Sequence, residues 1–281
     1  MMEKEKSYAS HLEGFKDSLH RNEKSQATIK KYTREIGQLI DYLNGRKITK
    51  DLLIDYREYL QNLNLVQTVN GKLSAINAFL EYMGLQCCKL KLFRVQRAAF
   101  VDEKRELTEQ EYKRLLDAAK KQDDDRLYHL MLTIAGTGIR ISELKFITID
   151  ALEKGQAKIY LKGKGRTILL QKSLRTRLMK YVKGQGIREG YVFQTKSGKP
   201  LDRSNICHDM KKLCKLAEVE PGKVFPHNFR HLFARTFYAI EKNLAHLADI
   251  LGHSSIETTR IYVAASAKAY EETLDKMCLL L

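Results

Sequence analysis

The sequence predicts a mainly α protein of two unlike domains, a small helical bundle followed by a larger α+β domain with one small antiparallel sheet. Apolar residues recur at steps of three and four through residues 7–85, and helical patterns dominate again from Ser173 to the end. Short stretches that suit strands fall only between residues 146 and 170. At 281 residues the chain exceeds a typical single domain and is long enough for each of two to bury its own core.

In the first domain, Ile29, Tyr32, Ile36, Leu39, Ile40 and Leu43 form one amphipathic stripe behind a cap at Ser25. Thr49 caps a second helix through Leu52, Leu53, Tyr56 and Leu60. A third runs from Gln67 through Leu73, Ile76 and Phe79 to Met83, where Gly84 stops it. The helical period then fades, and Lys89, Lys91, Arg94 and Arg97 follow without an acid among them. The expected layout is a helical domain over 1–86, a basic linker over 87–103 and a second domain over 104–281. The linker is either solvated chain or a strap crossing a DNA backbone.

The second domain opens at Thr108, where the order Thr-Glu-Gln-Glu fits a capping box. An apolar helix from Leu127 to Ile141 is interrupted by Gly136-Thr137-Gly138. Phe146–Asp150, Ala157–Leu161 and Thr167–Leu170 read as strands, with a hairpin turn from Leu161 to Thr167.

Fifty Lys and Arg against 34 Asp and Glu give a net charge of +16, and both halves of the chain are cationic. A polyanion, nucleic acid above all, is the partner such a balance favours. The amino terminus is too charged to begin a signal peptide, and no apolar run approaches the roughly 20 residues of a membrane span, so a cytoplasmic protein with no membrane partner is expected. Cys87, Cys88, Cys207, Cys214 and Cys278 contain no CxxC pair and read as reduced thiols.

Four signatures stand in order: Gly138-Ile139-Arg140-Ile141-Ser142-Glu143-Leu144, Gly163-Lys164-Gly165, His227-Asn228-Phe229-Arg230-His231, and Leu251-Gly252-His253 followed nine residues later by Tyr262. Each alone arises easily by chance, but in this order they resemble the tyrosine recombinase family, of the phage-integrase or Xer-like kind. The helical amino-terminal portion looks like that family's core-binding (SAM-like) domain. The residues suit the chemistry, since phosphodiester exchange needs a nucleophile, donors for the developing phosphorane charge and a proton for the leaving oxygen. Arg140 and Arg230 offer planar forks of donors to phosphate oxygens. For Arg140 an ordinary salt bridge to Glu143 is the competing reading.

The resemblance assigns Tyr262 as the nucleophile that becomes joined to a DNA 3′ phosphate, storing the bond energy so that resealing needs no ATP. It assigns Lys164 to protonating the departing 5′ oxygen and His253 to hydrogen-bonding the phosphate; His227 acts as a base or orients the phosphate. A solvated turn lysine and a helix-capping role are the alternatives for Lys164 and His253. His227 and His231 have the spacing of two zinc ligands on one helix, but Asn228 stands where a zinc hydrolase places glutamate and Arg230 would set a positive charge beside the metal. No metal or other cofactor is expected. The sequence departs from the family's commoner pattern at Asn228, Phe229 and Leu232, and in lacking a second lysine after Gly165.

The implied function is a site-specific DNA recombinase acting on double-stranded DNA, as a homotetramer on two duplexes. Beyond Lys89, Lys91, Arg94 and Arg97, candidate DNA contacts are Lys72 and Asn77 on the third helix, whose polar face either reads base edges or is simply solvated. Tyr270, Leu274, Met277 and Leu281 make an apolar stripe that folds back or docks on a neighbouring subunit by exchange of the C-terminal helix. Rivals are a type IB topoisomerase-like activity and a non-catalytic DNA-binding regulator that keeps the fold.

Overall fold

Side-chain caps start several of the helices. In the computed structural model, which describes residues 8–95, 103–161, 164–253, 255–262 and 275, the Ser25 hydroxyl accepts from the Thr28 amide at 3.3 Å and opens α2 (Gln26–Leu43). Thr49 accepts from the Leu52 amide and opens α3 (Lys50–Leu63). Each cap satisfies an amide that the first turn leaves without a partner. The tail stripe at Tyr270, Leu274, Met277 and Leu281 lies outside the described residues, as does Arg97.

The chain divides into two compact units, Met1–Arg97 and Ala98–Leu281. In the first, α1 (Leu12–Arg21) and α4 (Val66–Tyr82) pack on α2, and α3 packs on α4. The buried set is the predicted stripe: Ile29, Ile36, Leu39 and Leu43 of α2 meet Leu73, Ile76 and Phe79 of α4, with Phe15 edge-on to Phe79 at 5.2 Å.

The start of the stretch expected to be an open linker is instead packed. Cys88 and Leu90 are buried in this same core. Asn70 and Asn77, seven residues and two turns apart on α4, each clasp an extended backbone: Asn77 bonds the Leu90 amide and carbonyl at 2.8 Å each, and Asn70 bonds the Phe93 amide and carbonyl at 2.8 and 2.9 Å. These amides stand in for a neighbouring strand, which the segment lacks. Asn77→Ala is therefore expected to lower the unfolding free energy by about 1–3 kcal/mol, since two backbone groups are left without partners. Urea denaturation measures this, and an unchanged midpoint would show that the clasp contributes nothing.

In the second unit, α5 (Glu109–Lys121) begins at the predicted box, with the Thr108 hydroxyl accepting from the Glu111 amide and the Glu111 carboxylate accepting from the Thr108 amide. The central helix, α6 (Asp125–Thr137), is mostly buried and packs against α5, α8 (Lys172–Gly184) and α11 (Pro226–Glu241). Rather than being interrupted and running on to Ile141, it ends at Gly138, whose φ of +61° is left-handed and where a side chain would run into Phe233.

Phe146–Asp150 is not a strand. Residues Ile141–Phe146 form a 3-10 helix, and Thr148 caps α7 (Ile149–Lys154) by accepting from the Ala151 amide, leaving one isolated bridge to Tyr191. The segment at 190–192 does lie alongside, with the Ile149 amide donating to the Gly190 carbonyl and the Val192 amide to the Ile147 carbonyl, but the pairing stops at this one bridge because the Thr148 cap turns the chain into α7. The sheet is a single antiparallel pair, β1 (Gln156–Leu161) with β2 (Lys164–Leu169), in the register Leu161 opposite Lys164. β2 thus begins three residues earlier than the sequence suggests, and Lys164 is its first residue rather than a turn residue. Ala157, Ile159 and Ile168 bury the inner face of this pair. Short helices α9 (Arg203–Lys212), α10 (Cys214–Ala217), α12 (Leu244–Leu251) and α13 (Ile256–Arg260) complete the unit. No helix among the described residues is long and apolar enough to cross a membrane.

Candidate active site

Arg230 projects from α11 and is wholly buried. Its guanidinium donates to the Gly138 carbonyl, to the Leu251 carbonyl at 2.8 Å and to His253 Nε2 at 2.9 Å, while its Nε has no partner. Among the described residues no carboxylate pairs with it. Burial, with Arg140 nearby, pushes its pKa down to about 10, so it remains cationic at neutral pH. Burying an unpaired charge costs several kcal/mol, which marks a place kept for an anion.

Arg140 stands where α6 has ended and the 3-10 helix begins, partly exposed. It donates to Glu143 at 3.0 Å and approaches the Gly252 carbonyl at 3.4 Å. The salt bridge weighed as a competing reading is present, and it holds a residue that also lines a cavity of about 210 Å³ with Arg230, His227, Ser142, Arg203 and Cys207. Glu143 is buried, which works to raise its pKa, but the Arg140 amide and the Arg166 guanidinium outweigh burial and hold its carboxyl below the usual range.

Tyr262 follows α13 and is 7% exposed, packed on Ala234, Leu247 and Leu251. Its hydroxyl lies 3.5 Å from His227 Nε2. Its ring stacks on His253 at 5.4 Å and meets His231 edge-on at 4.5 Å. His253 accepts from Arg230 at Nε2, so its Nδ1 carries the proton and donates to Thr259 Oγ1 at 2.8 Å. His231 faces Glu106 at 3.4 Å beside Arg235, a supporting ion cluster.

The structure therefore brings Arg140, His227 and Arg230 to the lining of one cavity, with His253 bonded to Arg230 and the Tyr262 hydroxyl 3.5 Å from His227. It places Lys164 at the start of β2. The departures from the common family pattern have structural uses: Asn228 donates to the carbonyls of Arg105 and Lys223, and Phe229 enters the core edge-on to Tyr112. Two DNA-contact assignments on α4 do not hold as free side chains. The Lys72 amine is bound to Glu35 and Gln38, and Asn77 is spent on the Leu90 backbone. Lys89 pairs with Glu81 at 3.0 Å, while Lys91 and Arg94 are exposed.

Sequence reasoning missed Arg166, Thr259 and Arg203. A signal for Arg166 existed: it shares the strand phase of Ile168 and Leu170, both buried, so an inward arginine needing a partner was to be expected.

His227 and His253 are both held down to about 4, by burial first and then by neighbouring positive charge, from His231, Arg230 and Arg140 for His227 and from Arg230, Arg140 and Arg166 for His253. An unfolded imidazole titrates near ~6.5 and takes up a proton that the folded site refuses. Stability in anion-free buffer should therefore be flat above that value and fall as pH drops from about 6.5 to about 4. Thermal melting across this window checks it, and a His227→Gln/His253→Gln variant should show a shallower slope. An identical slope in the variant would place the acid sensitivity elsewhere.

The sequence model of the phage integrase family matches residues 105–269. Among curated relatives, a tyrosine recombinase XerA of Pyrococcus furiosus is 28% identical over 96% of this chain and 94% of its own length. A TnP I resolvase of Bacillus thuringiensis is 27% identical over 88% and 93%. In fold, the chain is similar to a XerH site-specific recombinase bound to a palindromic difH substrate, with a TM-score of 0.72 at 20% identity over 94% of this chain and 83% of that one. A lambda integrase tetramer bound to a Holliday junction is similar at 0.71 and 18% identity, over 92% and 78%. Because the family match spans more than half of the chain and falls on the unit that brings the arginines, histidines and Tyr262 together, the chain belongs to the phage integrase family, the tyrosine recombinases.

Proposed function

We propose that this chain is a site-specific DNA recombinase that cleaves and rejoins DNA through a phosphotyrosine at Tyr262. The observation that carries the residue assignments is the buried, carboxylate-free Arg230, lining with Arg140 and His227 a cavity beside the Tyr262 phenol. A DNA phosphate in that cavity supplies the anion the site lacks. The arginines then stabilise the charge that grows on the non-bridging oxygens, worth about 10²–10³ in rate per donor in comparable sites.

Attack by the Tyr262 oxygen forms the new P–O bond as the bond to the 5′ oxygen breaks, leaving a 3′-phosphotyrosine. His227, neutral and 3.5 Å from the phenol, is placed to receive its proton, and the phosphate charge makes the imidazole a better base than in the empty site. Lys164 gives a proton to the leaving 5′ oxygen. His253, with Arg230 drawn to the phosphate, takes up a proton at Nε2 that the phosphate charge favours, and donates it in a hydrogen bond to the phosphate. Reversal with a different 5′ hydroxyl joins new partners, and the energy of the broken bond is conserved in the adduct.

The first unit, by its family likeness, is the core-binding domain, with Lys91 and Arg94 on the backbone of the duplex. The solved relatives include complexes with DNA sites and a tetramer on a Holliday junction; the same assembly, formed in the cytoplasm by four protomers on two duplexes, is the working state proposed for this chain. The test uses nicked suicide duplexes carrying the site selected by this protein from a random-sequence library. A denaturant-resistant protein–DNA adduct supports the reading, and binding without any adduct supports the regulator instead.

A further inference from the structure

Arg166 takes no part in the scheme above, yet its side chain is tied at both ends of the clamp. It is 11% exposed, its guanidinium reaches the Glu143 carboxylate, and it donates to the Ile250 carbonyl at 2.7 Å. Glu143 is the residue that holds Arg140 by side chain and backbone, and Ile250 lies three residues before His253. At Gly252, where φ is +63°, any side chain would run into Arg166, so the close approach is built into both residues. The buried Nε is left without a partner, so the arginine keeps this position at a cost.

Arg166 belongs to β2, two residues after Lys164. A two-stranded hairpin is marginal without packing beneath it. Ile168 of β2 and Leu170 just beyond it seat the far end of the strand, but nearer the turn the inward position of β2 is occupied by Arg166 itself, opposite the buried Ile159 of β1. Its ties thus fasten the turn-proximal part of β2 directly to the loops that present Arg140 and His253.

We propose that Arg166 is a positioning residue that sets the strand bearing Lys164 against the phosphate clamp, so that protonation of the leaving oxygen depends on it. The inference rests on the recombinase reading. In the reaction the Tyr262 oxygen bonds to phosphorus, the bond from phosphorus to the 5′ oxygen breaks, and that oxygen takes a proton from the Lys164 ammonium. If the 5′ bridging oxygen is replaced by sulfur, the leaving group departs as a thiolate, stable without a proton because thiols titrate near ~8.5. Loss of proton delivery is then harmless, whereas damage to the clamp is not.

The experiment measures adduct formation on nicked duplexes with a 5′ bridging oxygen or sulfur, for the unaltered protein, Lys164→Ala, Arg166→Ala and Arg166→Lys. Arg166→Lys keeps the charge but cannot span Glu143 and Ile250 together, and it carries the test if the alanine variant does not fold. Both Arg166 variants are expected to lose about 10²–10³-fold on oxygen, the scale of general acid catalysis, and to recover to within about tenfold of the unaltered protein on sulfur, as Lys164→Ala should. Unchanged rates on oxygen, or a loss that persists on sulfur while Lys164→Ala is rescued, would overturn the proposal. Absence of adduct from the unaltered protein on both substrates would instead remove the recombinase reading and this inference with it.

Discussion

Tyr262→Phe is expected to abolish the covalent protein–DNA adduct while leaving DNA binding intact. The phenylalanine ring fills the same slot against His231, His253 and Leu251, and the hydroxyl that it lacks lies 3.5 Å from His227 and also interacts with the Arg230 guanidinium. Stability should therefore fall by about 0.5–1.5 kcal/mol. The rate of cleavage should fall by at least about 10⁴-fold, because no neighbouring group replaces a missing nucleophile. Gel-shift titration and adduct formation on the suicide duplex measure the two halves of this expectation. An adduct that survives would assign the nucleophile to another of the 14 tyrosines. If the variant is instead as effective as the unaltered protein in its biological setting, the chain is a regulator that keeps the fold without using its chemistry.

Arg230→Ala should damage both function and fold. The wholly buried guanidinium satisfies two backbone carbonyls and one imidazole nitrogen. Removing it leaves those acceptors unpaired and is expected to cost about 2–4 kcal/mol of stability, offset in part because an unpaired buried charge is removed as well. Adduct formation should drop about 10³-fold through loss of the donor to the phosphate oxygens. Arg230→Lys separates the two effects: it keeps a positive charge but lacks the planar fork, so cleavage should remain at least about a hundredfold impaired. A lysine variant within tenfold of the unaltered protein would mean that charge alone suffices, and the clamp geometry assigned to Arg230 would fall.

The residues these expectations concern are picked out by the order and spacing of motifs along the chain. Helix caps at Ser25, Thr49 and Thr108 were equally legible, since a cap is a bond between residues three apart. The strand expected at Phe146–Asp150 failed because β-branched and aromatic residues say only that a segment suits a sheet, whereas a partner strand has to be supplied by the rest of the fold. Lys72 and Asn77, read as polar residues on an open helix face, have partners inside their own unit for a related reason. A polar face on a helix looks solvated until another segment packs on it, here Glu35 and Gln38 of α2 against Lys72 and the Leu90 backbone against Asn77.

The sequence by itself determined the helical bundle, the helix that starts at the Thr108 capping box and the family, and it pointed to Arg140, His227, Arg230, His253 and Tyr262 as the candidate site. These follow from interactions between near neighbours or from motifs that need no map. Only the tertiary structure decided that Arg230 is buried with no carboxylate on it among the described residues, that Tyr262 faces His227, that Arg166 joins β2 to Glu143 and that Asn70 and Asn77 clasp a backbone. Those bonds join residues 13 to 92 positions apart. Burial, and with it the strength of every charge in the site, is a property of what the whole chain packs around a group.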